Sequence, residues 1–138
     1  MISSPSNLDV MAAILADHPA LHWTPAMLEK SLQSPSVSVF SSLFSFALFQ
    51  AVADEAELLL IATVKNQQGQ GHASALLKDA LTQLSAQGIR SVFLEARSSN
   101  TAAQQLYKKL GFVQAGRRRD YYQNPREDAL LYLRKLLL

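Results

Sequence analysis

Apolar residues recur at helical spacing in two stretches of the second half of the chain. The first stretch forms one apolar face from Ala73, Leu76, Leu77, Ala80, Leu81 and Leu84. Gly88 marks the end of this helix. The second stretch follows Ser99 or Asn100 as the cap, and its inward face holds Ala103, Leu106, Tyr107 and Leu110 before Gly111. The pattern therefore predicts two amphipathic helices.

Two shorter helices are predicted near the N-terminus. Leu8–Ala16 follows the residues Ser6-Asn7, which can cap it. Thr24-Pro25 begins the second helix, because a capping hydroxyl followed by proline at the first helical position is a start signal. We expect that helix to extend to about Gln33.

Runs of apolar and β-branched residues predict six strands. The first three are Ser36–Ser41, Leu43–Ala53 and Glu57–Val64, with a tight turn at Asp54-Glu55 before the third. The others are Ser91–Ala96, Phe112–Gly116 and Asp128–Lys135. This order of elements predicts a mixed α/β layer fold with one βαβ crossover.

Composition limits the class of protein. A chain of 138 residues, 49% hydrophobic and 17% charged, fits one globular domain over 1–138. The absence of cysteine excludes a Cys nucleophile, disulfides and thiolate metal sites, and the three histidines have no metal-ligand spacing. Leu43–Val52 is too short to cross a bilayer, and Met1–Val10 lacks a signal pattern. We therefore expect a cytoplasmic protein without membrane or metal.

Charge is unevenly distributed along the chain. Residues 1–64 carry one basic and six acidic side chains, a net charge of −5, whereas residues 65–138 carry twelve basic and five acidic side chains, a net charge of +7. This asymmetry is compatible with chance on a solvated surface. It also fits a second half that meets a phosphorylated cofactor and a first half that meets a basic substrate. Because Arg117–Arg119 is the only tight basic run, direct nucleic-acid binding is less well supported.

A glycine-containing loop joins the third predicted strand to the first amphipathic helix. Its sequence is Gln68-Gly69-Gln70-Gly71-His72-Ala73. Backbone N–H groups at a helix start carry partial positive charge, and glycines let a phosphate approach them. The loop has no Gly-Lys-Ser/Thr, and Ser74 stands where a dinucleotide fingerprint needs its third glycine. Taken alone, it is equally well explained as a polar turn.

A second motif identifies a family. Leu94–Asn100, followed by Ala103, Leu106-Tyr107 and Leu110–Phe112, resembles the pattern E-x-R-x-S-N-x-x-A-x-x-L-Y-x-x-x-G-F of GNAT superfamily N-acetyltransferases. The glycine loop is similar to the Gln/Arg-x-x-Gly-x-Gly/Ala loop of that family. Arg118–Tyr122 and Arg126–Ala129 look like the ribosomal-protein-alanine N-acetyltransferases among them. The resemblance implies a mostly antiparallel twisted sheet with a parallel central pair and about four helices.

The resemblance also implies an activity. Acetyl-CoA is the expected co-substrate, and the expected acceptor is the N-terminal alanine of a small-subunit ribosomal protein with a basic N-terminal segment. Transfer would be direct, in a ternary complex, without a metal. Two alternatives stay open: an N-acetyltransferase for lysine or a small amine, and a CoA-binding protein without turnover.

Two residues are the candidate catalytic groups. Glu95 ends an apolar strand, and burial of a carboxylate suits a general base; a strand-end Glu that reaches water or Arg97 is the alternative. Tyr107 lies two helical turns after Asn100, and periodicity alone favours a core aromatic. The resemblance implies that Glu95 takes a proton from the substrate ammonium and that Tyr107 protonates the departing thiolate.

Eleven residues are candidates for holding the coenzyme, all by resemblance. The pyrophosphate is expected at Gln68, Gly69, Gln70, Gly71, His72, Ala73 and Ser74. The pantetheine arm and thioester carbonyl are expected at Ile61, Ala62, Thr63 and Asn100. Capping alone also explains Asn100, and ordinary strand pairing also explains Ile61–Thr63. Tyr121 and Tyr122 either line the substrate cleft or simply pack.

Overall fold

A six-stranded sheet organises residues 8–136, the part of the chain that the computed structural model describes. The strands are β1 (Val37–Ser41), β2 (Ser45–Val52), β3 (Glu55–Thr63), β4 (Ser91–Arg97), β5 (Val113–Tyr122) and β6 (Glu127–Lys135), in the spatial order β1-β2-β3-β4-β6-β5. The α-helices of this part are α1 (Leu8–Ala16), α2 (Pro25–Leu32), α3 (His72–Ala86) and α4 (Thr101–Lys109). The predicted mixed α/β fold is confirmed, since β3 and β4 are parallel and the other pairs antiparallel.

The parallel pair at the centre of the sheet is short. Residues 55–57 of β3 pair with residues 91–93 of β4, and α3 makes the crossover between the two strands. A bulge lies just beyond, because Leu58 pairs with Phe49 and Leu60 pairs with Leu48, which leaves Leu59 without a partner on β2. β3 and β4 therefore separate toward their carboxyl ends.

The helices bury apolar residues against both faces of the sheet. On one face, residues of α3 such as Leu77 and Leu84 are buried in one cluster with Val92 and Leu94 of β4. On the other face, α1 and α2 pack residues such as Met11 against Phe46 of β2. Burying one such side chain contributes about 1.5–3 kcal/mol, so both layers stabilise the sheet substantially.

The helix caps follow the predicted residues. Thr24 Oγ1 accepts a hydrogen bond from the backbone N–H of Met27 at 3.1 Å, and Asn100 Oδ1 accepts one from Ala103 at 3.1 Å. The expected cap Ser6-Asn7 lies outside the described residues.

Two predicted boundaries were wrong. The hairpin turn comprises residues 53–54 instead of Asp54-Glu55, because Val52 pairs with Glu55 and Ala53 takes a φ of 56°. The fifth strand is Val113–Tyr122 instead of Phe112–Gly116. β5 is an edge strand with mostly exposed residues, so its polar second half lacks the alternation that would have indicated a strand.

Candidate active site

The separation of β3 and β4 opens a cleft with a volume of about 930 Å³. Its walls are residues 58–63 of β3, residues 95–97 of β4, the first turns of α3 and α4, and the segment that follows α1. Of the thirteen residues predicted for the site, twelve line this cleft; Gln70 does not, and its side chain is exposed. The fold therefore brings together residues that lie up to 46 positions apart in the chain, from Ile61 to Tyr107.

The glycine loop presents the start of α3 to the cleft. Gly69 and Gly71 have φ values of 75° and 85°, a conformation that L side chains rarely adopt. In the described part of the chain, no other atom lies within 4 Å of the place that a Cβ would take at either glycine, so the backbone there is open to a ligand. No side chain caps α3 at Gly71, and its first turn contains no acidic residue. The arrangement suits an anion such as a diphosphate.

The carboxyl end of β3 forms the wall beside this loop. Ile61, Ala62 and Thr63 line the cleft and lie beyond the ladder that β3 shares with β4. Backbone groups on that edge can therefore bind an extended ligand. The carbonyl of Thr63 already accepts a hydrogen bond from His18 Nε2 at 2.7 Å. That contact, which the sequence did not indicate, holds the segment after α1 against the end of β3.

Glu95 lies on the open face of β4. Val92, Leu94 and Ala96 point to the opposite face and are buried, as expected from the alternation along a strand. The side chain of Glu95 is only 19% exposed, and its Oε2 atom is buried without a hydrogen-bond partner among the described groups. A carboxylate oxygen that is buried and unbonded within a cleft is available to a substrate N–H.

Arg118 and Tyr121 of β5 reach Glu95 across the intervening strand β6. Arg118 Nε is 3.7 Å from Glu95 Oε2, an ion pair that is too long for a hydrogen bond. The Tyr121 hydroxyl donates a long hydrogen bond of 3.5 Å to Glu95 Oε1. The alternative partner for Glu95, Arg97, instead pairs with Glu127 at 3.2 Å. Arg118 is half exposed, so an incoming cation can replace it.

Tyr107 lines the cleft from α4. Its ring packs against those of Phe112 and Tyr132, with centroid separations of 5.9 and 6.1 Å, and the side chain is buried. Burial raises the pKa of the Tyr107 hydroxyl, and the nearby Tyr122 raises it further. The phenol therefore stays protonated at physiological pH and can serve as a proton donor. Tyr107 is therefore both an aromatic residue of the core and a lining residue of the cleft.

Asn100 forms the predicted cap and lies in the cleft. Its side-chain oxygen caps α4, and the residue also lines the cleft. Its neighbour Gln104 donates hydrogen bonds to the carbonyls of Arg97 and Ser98 at 3.3 and 2.9 Å, which fixes the helix to the end of β4.

Tyr122 adds an aromatic wall to the cleft. The guanidinium of Arg97 lies 4.3 Å from the centre of the Tyr122 ring, a cation–π contact. Burial raises the pKa of Tyr122 to about 12, and the charge of Glu95 adds to the shift. Tyr121 does not line the cleft but contacts Glu95.

Two classes of site are not observed in the described part of the chain. Residues 8–136 contain no group of three or more His, Cys, Asp or Glu side chains that could hold a metal ion. Within the same range, no helix is both long enough and apolar enough to cross a membrane.

Comparison with known proteins agrees with this geometry. Residues 18–112 match the model of the acetyltransferase (GNAT) family. A [ribosomal protein bS18]-alanine N-acetyltransferase from Haemophilus ducreyi is 42% identical over 93 residues, which cover 65% of this chain. The matched segment spans 64% of the length of that relative.

Solved structures show the same fold. The ribosomal-protein-S18-alanine N-acetyltransferase from Escherichia coli superposes with a TM-score of 0.85 at 33% identity, covering 100% of this chain and 94% of that one. NAA60 from Arabidopsis thaliana in complex with acetyl-CoA gives a TM-score of 0.83 over 96% of this chain and 94% of that one, at 17% identity, and so shares the fold. The family match, the fold and the cleft lead to one conclusion: this chain belongs to the GNAT acetyltransferase family.

Proposed function

We propose that this protein transfers the acetyl group of acetyl-CoA to the N-terminal amine of a protein, and that the acceptor is the N-terminal alanine of ribosomal protein bS18. The observation that carries the proposal is the placement of Glu95, Tyr107 and the glycine loop around one cleft. The relatives from H. ducreyi and E. coli, which bear the name of this activity, support the choice of acceptor.

The coenzyme fits the residues that are present. The uncapped start of α3 at Gly71, open to ligand and free of acidic residues in its first turn, suits the pyrophosphate. The free edge of β3 at Ile61–Thr63 and the start of α4 at Asn100 suit the pantetheine arm. Acetyl-CoA supplies the acetyl group as a thioester, which an amine can attack directly.

Two side chains move the protons of the reaction. Glu95 removes a proton from the acceptor ammonium, so that the nitrogen can attack the thioester carbon. Tyr107 donates a proton to the departing thiolate. Its raised pKa does not prevent this step, because the thiolate forms in the same poorly solvated site, where its own charge is also disfavoured.

The acceptor side of the cleft is suited to a positively charged N-terminus. Glu95 offers a buried oxygen there, and within residues 8–136 the cation paired with it is the half-exposed Arg118. An ammonium group that displaces Arg118 gains a charge-assisted hydrogen bond. A basic segment behind the first residue is favoured by the acidic first half of the chain, whose net charge is −5 over residues 1–64.

A peptide panel tests the proposal. The purified protein is incubated with acetyl-CoA and three peptides: the bS18 N-terminus, the same peptide with its amine blocked but a lysine present, and an unrelated alanine-starting peptide. Mass spectrometry should find acetylation of the bS18 peptide at its first residue, faster than on the unrelated peptide. Acetylation of the lysine alone would show that the acceptor is a lysine side chain. CoA binding without any turnover would show that the protein binds the coenzyme but does not transfer the acetyl group.

A further inference from the structure

Glu57 of β3 places a second carboxylate beside Glu95. In the parallel ladder Glu57 pairs with Phe93, and Phe93 and Glu95 alternate onto the same face of β4. Glu57 therefore lies on the open face of the sheet, one row away from Glu95. Its neighbour Ala56 points into the core on the other side and is fully buried.

The charges around Glu57 come from two other strands. Burial raises the pKa of the Glu57 carboxyl, the negative charge of Glu95 on β4 raises it further, and Arg118 on β5 lowers it. Arg118 is also the cation paired with Glu95. One arginine therefore serves two carboxylates, and the charge of Glu95 acts on Glu57.

The proton balance of amine acetylation calls for more than one proton acceptor. An ammonium nitrogen that becomes an amide nitrogen loses two protons while one C–N bond forms and one C–S bond breaks. One of these two protons restores the hydroxyl of Tyr107, which has given its own proton to the coenzyme sulfur. The other must reach solvent. Glu95 can hold only one proton at a time, so it must release the first before it takes another.

We propose that Glu57 is a relay residue that accepts the proton from Glu95 and passes it to solvent, which regenerates the Glu95 carboxylate within each turnover. The inference rests on the proposed function. Glu57 acts through Glu95 and needs no contact with the acceptor or the coenzyme. The residue is partly exposed, so its carboxyl can exchange protons with water.

Turnover of Glu57→Gln is the first test, with Glu55→Gln as the matched control. Glu55 lies two residues away on the same strand, pairs with Ser91 and is exposed, so the control removes an equal charge farther from Glu95. In Glu57→Gln we expect kcat on the bS18 peptide to fall about tenfold or more. This loss is smaller than the 10²–10⁴-fold loss that is usual for a group that acts directly as acid or base, because Glu57 acts through Glu95. KM for acetyl-CoA should not change. Glu57→Asp should recover part of the loss.

The pH profile separates a relay from a structural role. In the wild type, kcat should rise through the pKa of Glu57, because only the ionised carboxylate can accept a proton; this rise should be absent in Glu57→Gln and present in Glu55→Gln. A Glu57→Gln variant with the kcat and profile of the control overturns the proposal. If the wild type acetylates no amine at all, the proposed function is wrong, and the proposed relay is then wrong as well.

A measurement without acetyl-CoA tests the coupling itself. Titration of the Glu57 carboxyl carbon by NMR should give a lower pKa in Glu95→Gln than in the wild type, since the neighbouring negative charge is gone. An unchanged Glu57 titration would show that the two carboxylates do not communicate, which contradicts the relay even if the enzyme is active.

Discussion

Glu127 Oε1 accepts a hydrogen bond of 3.0 Å from the backbone N–H of Ser99, and this bond joins the beginning of β6 to the start of α4. The Ser99 hydroxyl donates to the same oxygen at 2.8 Å, and Arg97 binds the other oxygen at 3.2 Å. A carboxylate at a helix N-terminus is also favoured by the helix dipole. Two motifs that are distant in sequence thus form one wall of the cleft, which Arg97 and Ser99 line.

Glu127→Gln should destabilise the protein at neutral pH and not at acid pH. The hydrogen bonds from the Ser99 N–H and hydroxyl, with Arg97, lower the pKa of Glu127 below its ordinary value of 4.5. The stability that such a group contributes is present above its unfolded pKa and is lost as pH falls through its folded pKa. We expect a lower Tm than the wild type at pH 7 and a difference that closes below about pH 4.5. Glu29→Gln, at an exposed position on α2, should change Tm little at either pH.

Glu95→Gln should lower kcat by about 10²–10⁴-fold at pH 7 while the fold is retained. The acceptor α-amine, with an ordinary pKa of about 7.7–8.0, is mostly protonated there and needs a base. At pH 9.5 the amine is already neutral, so the gap between variant and wild type should narrow. Steady-state kinetics with circular dichroism as a check on folding would measure both. Full activity across neutral pH would remove Glu95 from the mechanism.

Tyr107→Phe should lower kcat by about tenfold to a hundredfold, toward the lower range for acid–base groups, with little effect on KM for acetyl-CoA. The change removes only the hydroxyl and keeps the contacts with Phe112 and Tyr132. Tyr132→Phe is the matched control, because it removes a hydroxyl from the same aromatic cluster at a position that does not line the cleft. Equal losses in both variants would show that packing, and not proton donation, explains the effect.

Gly71→Ala should weaken coenzyme binding by at least tenfold. Gly71 precedes α3 and Gly88 follows it, with φ values of 85° and 95°. Among residues 8–136, no atom lies within 4 Å of a Cβ added at either glycine. Both alanine variants therefore cost a similar strain, about 1–2 kcal/mol. Only Gly71 lines the cleft. Calorimetry with CoA should show weaker binding for Gly71→Ala alone; a matching loss in Gly88→Ala would mean that helix stability is the cause.

Local patterns account for the elements that the sequence predicted well. The helices α3 and α4 follow from the period of their apolar residues and from the glycine after each of the two, and α2 follows from the cap Thr24. All of these signals depend on interactions within a few residues. The residues of β5 were predicted less well. Arg117–Arg119 continues an edge strand whose partner β6 supplies the hydrogen bonds, and no local pattern reveals that partner.

The amino-acid sequence by itself determined the family, the order of the elements and the candidates Glu95 and Tyr107, because a motif records which side chains are required. Only the tertiary structure decided which charges meet. The register between strands that are far apart in the chain decides that Arg118 pairs with Glu95 and that Arg97 pairs with Glu127. The same register decides the position of Glu57. Electrostatic interaction falls with distance in space, and that distance is set when β3, β4, β5 and β6 align.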